Sequence, residues 1–210
     1  GEDSVAINML KHFKLSLNGK FELYLAFGKR LFDIVFSFFS LVILLPIFLI
    51  ISILIKLFDS GPILFKQKRI GLNGEIFVMY KFRSMSVSIK DMSSDQIGRL
   101  NLTWIGKLIR RTNIDELPQL FNILKGDMSI VGPRPALLIQ KDLIEYRRQN
   151  GSLFYRPGLT GLAQVSSYSG MNVIEKVKFD GEYVNCISLK FDLLIIFKTF
   201  VYLLKSPPVY

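Results

Sequence analysis

Cysteine and histidine are nearly absent: Cys186 and His12 are the only ones in 210 residues. A single cysteine excludes an intrachain disulfide and fits a reducing compartment. The single histidine, in a weakly patterned stretch near the N-terminus, gives little support to a Cys–His nucleophile. The ligands for a zinc site are missing for the same reason. Internal repeats and low-complexity tracts are lacking too. Negative charge is scarce, with 17 Asp and Glu against 27 Lys and Arg, a formal net charge of +10. From residue 34 to residue 55 there is no charge at all. That run can cross a bilayer core of about 30 Å. It is too long, too far into the chain and too poor in small residues at its end to be a cleaved signal peptide.

Half of the residues are hydrophobic, and the mean hydropathy is +0.35. Basic and apolar together suit a protein held at an anionic membrane surface, or one that takes a phosphate-bearing substrate. Nucleic acid is not an expected partner, because no recognition motif is present and the uncharged run counts against it. The length fits one ordinary domain plus an appendage. The expected divisions are a lead-in over 1–28, a membrane segment over 29–58 and a catalytic domain over 59–210. The chain begins with Gly1, which fits either a tag remnant or a piece of a longer protein.

Pro46 lies near the middle of the uncharged run. Proline kinks or breaks a helix by removing an N–H and crowding the preceding turn. Two shapes follow: a spanning helix with a tolerated kink, or a helix that bends at Pro46 and leaves by the face it entered. Lys29 and Arg30 precede the run, and Lys56, Lys66, Lys68 and Arg69 follow it. Positive charge marks the cytoplasmic side and here it flanks both ends, which favours the second shape.

In "GPILFKQKRIGLNGEIFVMYKFRSM" two β-rich runs, 63–68 and 75–82, flank Asn73-Gly74, a hairpin signal. Lys81 and Arg83 are two apart, so they share a face; they are either a solvated edge or a grip on an anion. Residues 84–95 read as a loop. "GRLNLTWIGKLIRR" reads as an amphipathic helix with Leu100, Trp104, Ile105 and Leu108 at helical spacing among basic residues. Such a helix packs on a core or lies in a membrane interface. "KFDLLIIFKTFVYLLK" is apolar from 191 to 204, too short to span, and reads as a helix on the domain or on the bilayer.

The sharpest signal is "TNIDELPQLFNILKGDMSIVGPRP", residues 112–135. Pro118 places a helix start just ahead of it, with Asn113 as N-cap and Glu116 completing a capping box. Asp115 and Glu116 then occupy a first turn, where the positive helix end favours anions. Taken alone they read as caps. Their surroundings point further. Gly126-Asp127 ends the helix, and a stiff loop presents Arg134 between Pro133 and Pro135. "YRPGLTGLAQV" presents Arg156 in the same way. Arginine suits phosphate through bidentate hydrogen bonds. Two carboxylates among arginines fit a diphosphate site, where the acids hold Mg²⁺ together with substrate phosphates or one of them attacks phosphorus.

At these residues the chain resembles the monotopic phosphoglycosyl transferases, bacterial enzymes that start glycan assembly on a polyprenyl phosphate. The resemblance runs from about residue 29 to residue 204. It is carried by "KRLFD", "YKFRSM", "RRTNIDELPQLFNILKGDMSIVGPRP" and "RPGLTGLAQV". It implies that Asp115 attacks the β-phosphorus of a UDP-sugar, releasing UMP. Polyprenyl phosphate then takes the sugar phosphate from the aspartyl intermediate. It implies a metal-binding or acid–base role for Glu116, Mg²⁺ as cofactor, and Asp115 and Glu116 as its ligands. Lys81, Arg83, Arg110, Arg134 and Arg156 match its phosphate and nucleotide positions, and Pro133 and Pro135 shape its Pro-Arg-Pro loop. It also implies a helix re-entrant at Pro46, flanked by Lys29 and Arg30, in the bacterial inner membrane with the catalytic domain on the cytoplasmic face. Relatives often place serine before the proline; here Leu45 stands there, and Ser40 and Ser37 lie further back.

The expected fold is therefore mostly helical α+β, with a small β-hairpin sheet, one Pro-broken re-entrant membrane helix and amphipathic interfacial helices. The expected partners are a UDP-sugar, polyprenyl phosphate and membrane lipids, and a homo-oligomer stays open. The competing reading is a non-catalytic membrane-associated module that holds an anionic lipid or phosphate, with the acids as helix caps. Such a module has no need of an acid pair.

Overall fold

The structure, a computed structural model, describes residues 23–58, 61–84, 104–166 and 171–204. Residues 1–22 of the expected lead-in, 85–95 of the expected loop and 98–103 of the expected amphipathic helix, Leu100 among them, lie outside them. A π-helical turn, Tyr24–Gly28, runs directly into helix α1, Lys29–Phe58. Strands β1, Leu64–Ile70, and β2, Ile76–Phe82, form an antiparallel hairpin from Leu64 opposite Phe82 to Ile70 opposite Ile76. Asn73 and Gly74 both take positive φ in its turn, 57° and 82°, as the Asn-Gly signal required.

Helix α2, Trp104–Arg111, leads through a 3-10 turn, Ile114–Glu116, to α3, Gln119–Lys125. Strand β3, Ser129–Val131, precedes α4, Lys141–Gln149; strand β4, Gly158–Thr160, precedes α5, Leu162–Ser166. The chain then forms α6, Val173–Asn185, and α7, Leu189–Leu204. The mostly helical α+β architecture is as expected. The parallel pairing of β3 with β4 was not anticipated, since three-residue strands carry no readable alternation.

Two apolar clusters hold these elements. The main core joins Phe77 and Met79 of β2, Leu120 and Ile123 of α3, Ile130 and Val131 of β3, Tyr183 of α6 and Ile195 of α7. The second joins Ile51 and Ile55, late in α1, to Phe82, Ile105 and Ile109. Ile105 and Ile109 are the buried stripe of α2, whereas Trp104 is 68% exposed and Leu108 is also exposed. Of the expected stripe Ile105 is buried as read, whereas Ile109 replaces Leu108 on the core side and Trp104 faces outward beside Phe58.

Helix α1 differs from expectation in one respect: it is continuous, with Pro46 inside it. Proline deletes one donor, and the hydrogen bonds on either side carry the helix past it. Along its 30 residues only Asp33, Ser37, Ile51 and Ile55 are buried. Val42, Ile43, Leu45, Leu49, Ile50 and Ile53 are all exposed. Both ends nevertheless pack on the same domain. Arg30 donates to the carbonyls of Ile123 and Leu124, and Asp33 accepts from Ser129 Oγ and Ile130 N–H at 3.0 Å each. Further on, Phe48 packs against Phe82 and Phe121. Helix α7 likewise buries Asp192 and Ile195 and leaves Leu193, Phe197, Phe200 and Leu204 outside.

Candidate active site

The acid pair sits in a different local structure from the one expected. Asn113 adopts the left-handed conformation, φ 55° and ψ 16°, and makes no side-chain cap. Its N–H bonds the Arg110 carbonyl, so it ends α2 instead of opening α3, a role asparagine takes because it tolerates this conformation. Asp115 and Glu116 therefore ride on the 3-10 turn between two helices, and α3 opens only at Gln119 behind Pro118. The expected capping box is not formed. Gly126 does end α3, with φ 100° and its N–H bonded to the carbonyls of Asn122 and Ile123.

Three elements converge on Glu116. Lys81 Nζ, from the end of β2, and Arg134 Nη2, from the loop after β3, both donate to Glu116 Oε1 at 2.9 Å. Burial opposes ionisation of Glu116, but the charges and hydrogen bonds of Arg134 and Lys81 outweigh it and lower its pKa to about 2. Asp115 is the reverse case. Among the described residues its carboxylate joins no ion pair. Burial, and then the neighbouring charge of Glu116, push its pKa up against the pull of Lys81 and Arg110. Two adjacent acids thus have environments that drive their titrations apart, a hallmark of acids with separate chemical duties.

Arg110 Nε donates to Ser84 Oγ at 2.8 Å, and Arg83 beside it is buried. The Pro-Arg-Pro loop is fixed by its backbone. The carbonyl of Pro133 accepts from Gly158 N–H, and that of Pro135 from Arg69 Nη1 at 3.0 Å. Arg147 Nη1 bonds the Arg134 carbonyl at 2.8 Å while its guanidinium pairs with buried Asp180. A Cβ on Gly158 would collide with the backbone of Gly132, so the two arginine loops interlock only through glycine. Arg156 is not brought to the acids: its Nε bonds the Gly126 carbonyl at 2.9 Å, at the C-terminal end of α3 that Arg30 also caps. Lys29 pairs with Asp192 at 2.7 Å, and Pro46 stays within α1, remote in sequence from these contacts.

A cleft of about 850 Å³ opens beside Glu116, Arg134, Pro135 and Arg69. Its volume lies in the range of small-molecule sites. Sequence reasoning passed over Arg69, Arg147 and Asp180. Arg69 looked like one more flanking cation, yet burial and then the nearby Arg134 lower its pKa to about 10. Arg147 carried a readable signal: it lies one turn after Leu143, and both are buried.

As to a metal, no cluster of three or more His, Cys, Asp or Glu side chains occurs among the described residues. One or two hard carboxylate oxygens completed by substrate phosphates is the pattern magnesium accepts, and Asp115 with Glu116 fits it. Both cations on Glu116 use Oε1, and among the described residues Oε2 carries no hydrogen bond.

The sequence model described as bacterial sugar transferase matches residues 24–206. The chain is 36% identical over 193 residues to the exopolysaccharide production protein ExoY of Rhizobium meliloti, covering 82% of this chain and 83% of that one. It is 37% identical over 202 residues to undecaprenyl-phosphate galactose phosphotransferase of Salmonella typhimurium, covering 88% of this chain but 42% of the relative. It is 38% identical over 182 residues to UDP-glucose:undecaprenyl-phosphate glucose-1-phosphate transferase of Escherichia coli, covering 81% and 39%. The chain therefore spans under half the length of those two larger relatives.

Proposed function

The chain belongs to the bacterial sugar transferase family, and on that footing we propose that it moves a sugar 1-phosphate from a UDP-sugar to polyprenyl phosphate. In the first step an Asp115 carboxylate oxygen bonds to the β-phosphorus. The bond from that phosphorus to the bridging oxygen breaks, and UMP leaves with the electron pair. In the second step a phosphate oxygen of the acceptor bonds to the same phosphorus, the aspartyl–phosphorus bond breaks, and Asp115 returns as carboxylate.

One observation carries this reading: Glu116 is held ionised by two cations, while Asp115 beside it joins no ion pair among the described residues. A carboxylate raised above its usual range is the more basic of the two and, once ionised, the better nucleophile. Lys81, Arg110 and Arg134 surround the reacting phosphates with fixed positive charge, which stabilises a charged transition state without reorganisation. Magnesium, bound by Asp115 or Glu116 and the diphosphate, would neutralise phosphate charge. Glu116, fixed by Lys81 and Arg134, orients that arrangement.

Helix α1 supports a membrane-embedded site. Its apolar face is exposed through the middle, and both of its ends rest on one domain. With the hydrogen bond missing at Pro46, where a continuous helix can bend, this favours a helix that enters and leaves by the same face, with the basic flanks on the cytoplasmic side.

The test is UMP release from a panel of UDP-sugars, including glucose, galactose and N-acetylgalactosamine, with Mg²⁺ and undecaprenyl phosphate. Wild type is compared with Asp115→Asn. UMP from one sugar, lost in the variant, is the expected result. UMP production that persists in the variant, after deamidation is excluded, would remove Asp115 as nucleophile.

A further inference from the structure

The two prolines that bracket Arg134 have no N–H, so the loop that carries it is held through its carbonyls. Three successive carbonyls are gripped from three directions. Gly158 N–H, on β4, bonds that of Pro133 at 2.9 Å. Arg147 Nη1, on α4, bonds that of Arg134 at 2.8 Å. Arg69 Nη1, on β1, bonds that of Pro135 at 3.0 Å. Of these donors Arg147 is the one that is paired with a buried acid. Its Nε and Nη2 both reach Asp180 Oδ2 on α6, at 2.8 and 2.7 Å, and the two side chains are 7% and 2% exposed.

Stability alone does not account for this pair. Two charges withdrawn from water lose hydration that their attraction need not restore, and apolar residues of similar volume often serve the fold as well or better. Burial pushes the Asp180 carboxyl above its ordinary range even against the charges of Arg147 and Lys176. Helices α4 and α6 are also tied without charge, where Asn150 Nδ2 bonds the Val177 carbonyl at 2.7 Å. What the ion pair adds is direction. A guanidinium is a planar fork. With Nε and Nη2 fixed on Asp180, the plane of the group and the direction of Nη1 are set, and the Arg134 carbonyl lies there. Arg134 in turn donates Nη2 to Glu116 Oε1 at 2.9 Å. Its side chain is 48% exposed, so the placement of its backbone bears directly on where its guanidinium reaches.

We propose that Asp180 and Arg147 are positioning residues for the transfer: together they hold the backbone of Arg134 so that its guanidinium meets both Glu116 and the reacting phosphates. The inference deepens the transferase reading and rests on it. The line of contacts runs from α6 through α4 and the Pro-Arg-Pro loop to the acid pair. Both residues act through Arg134, so their loss misplaces a charge in the transition state and leaves the substrates' own contacts in place.

The experiment uses the full chain in nanodiscs and reads UMP release from the UDP-sugar panel with undecaprenyl phosphate. Arg147→Met combined with Asp180→Leu removes both charges at similar volume and should melt close to wild type. Its kcat should fall about a hundredfold, with KM for each substrate changed less than about threefold. Arg147→Lys keeps a charge for Asp180 but lacks the fork; it should fold and show the same split. Asn150→Ala unties α4 from α6 without touching the loop. It should melt lower and keep its kcat per folded molecule. Hydrogen exchange over 131–137 should quicken in the two Arg147 variants and not in Asn150→Ala. Should the double variant not fold, Arg147→Lys decides by the same readings. Wild-type kcat in the Arg147 variants overturns the proposal, as does a kcat that simply follows melting temperature across all three. A rise in KM alone also overturns it, because it would make Arg147 a direct substrate contact. Failure of the transferase reading looks different: wild-type protein releases no UMP from any sugar. Loop exchange that still separates the Arg147 variants from Asn150→Ala would then leave the hold on Arg134 standing, and exchange alike in all of them would remove it.

Discussion

Asp192 and Asp115 are both withdrawn from water, and their neighbours treat them oppositely. Asp192 is fully buried and accepts three hydrogen bonds at 2.7 Å each, from Tyr24, Lys29 and Tyr183. Burial, reinforced by Asp192, pushes both tyrosine hydroxyls far above their ordinary range, so they remain donors at any physiological pH. The cluster ties the start of α1 to α6 and α7. Asp115 has charges nearby but no ion-pair partner among the described residues. A carboxylate whose lone pairs are filled by its own fold is fastened in place; one without an ion pair among the described residues suits the nucleophilic role proposed for Asp115. Burial, and then the neighbouring charge of Glu116, raise the pKa of Asp115.

Four substitutions sharpen or break that contrast. Asp115→Asn should lower transfer by at least about a thousandfold, read as product formation at saturating substrates. It should leave the fold intact. Asp192→Asn should do the opposite. It strands the charge of Lys29 in a nearly closed site, so stability should fall by about 3–5 kcal/mol, measured by chemical unfolding in detergent. Equal stability losses in the two variants would erase the contrast. Tyr183→Phe removes a hydroxyl that bonds both Asp192 and the Val131 carbonyl and should cost about 1–3 kcal/mol. Activity per folded molecule should be nearly unchanged.

The smallest effect is one of sign, and Glu116→Gln tests it beside Asp115→Asn. Folding lowers the pKa of Glu116 from 4.5 to about 2. Its ionised form therefore stabilises the native state above pH 4.5, and that stability is lost as pH falls through about 2. Folding raises the pKa of Asp115 above 3.8. The stability linked to its proton is complete below pH 3.8 and lost as pH rises through the folded pKa. At neutral pH Glu116→Gln should thus melt below wild type and Asp115→Asn at or above it. Both gaps should close in acid, and thermal scans between pH 7 and pH 2 would read them. Parallel pH profiles would mean that the two acids share one environment.

Much of this contrast could be read along the chain, and some could not. The acid pair, Lys81, Arg134, the hairpin turn, the C-terminal end of α3 and helix α7 were visible as local chemistry. Asn113 misled because a residue that suits a helix start also suits the left-handed turn after a helix, and only the neighbouring α2 decides between them. Pro46 left a kinked and a re-entrant helix both open, because one missing hydrogen bond does not end a long helix. Arg69, Arg147 and Arg156 act through backbone carbonyls 13 to 66 residues away in sequence. Spacing cannot express such partners, and their duties emerged only with the fold.

The two-ended attachment of α1 has a consequence in the vertical dimension. The proposed reaction, between a water-borne nucleotide sugar and a lipid-borne phosphate, needs its nucleophile at one particular height over the bilayer. Arg30 and Asp33 fasten one end of the apolar helix to α3 and β3, and Ile51 and Ile55 fasten the other to β2 and α2. If α1 inserts as proposed, it works as a depth gauge. Wherever its apolar middle settles in the hydrocarbon, Asp115 is carried to a matching elevation. The domain needs no separate device to sense the membrane surface.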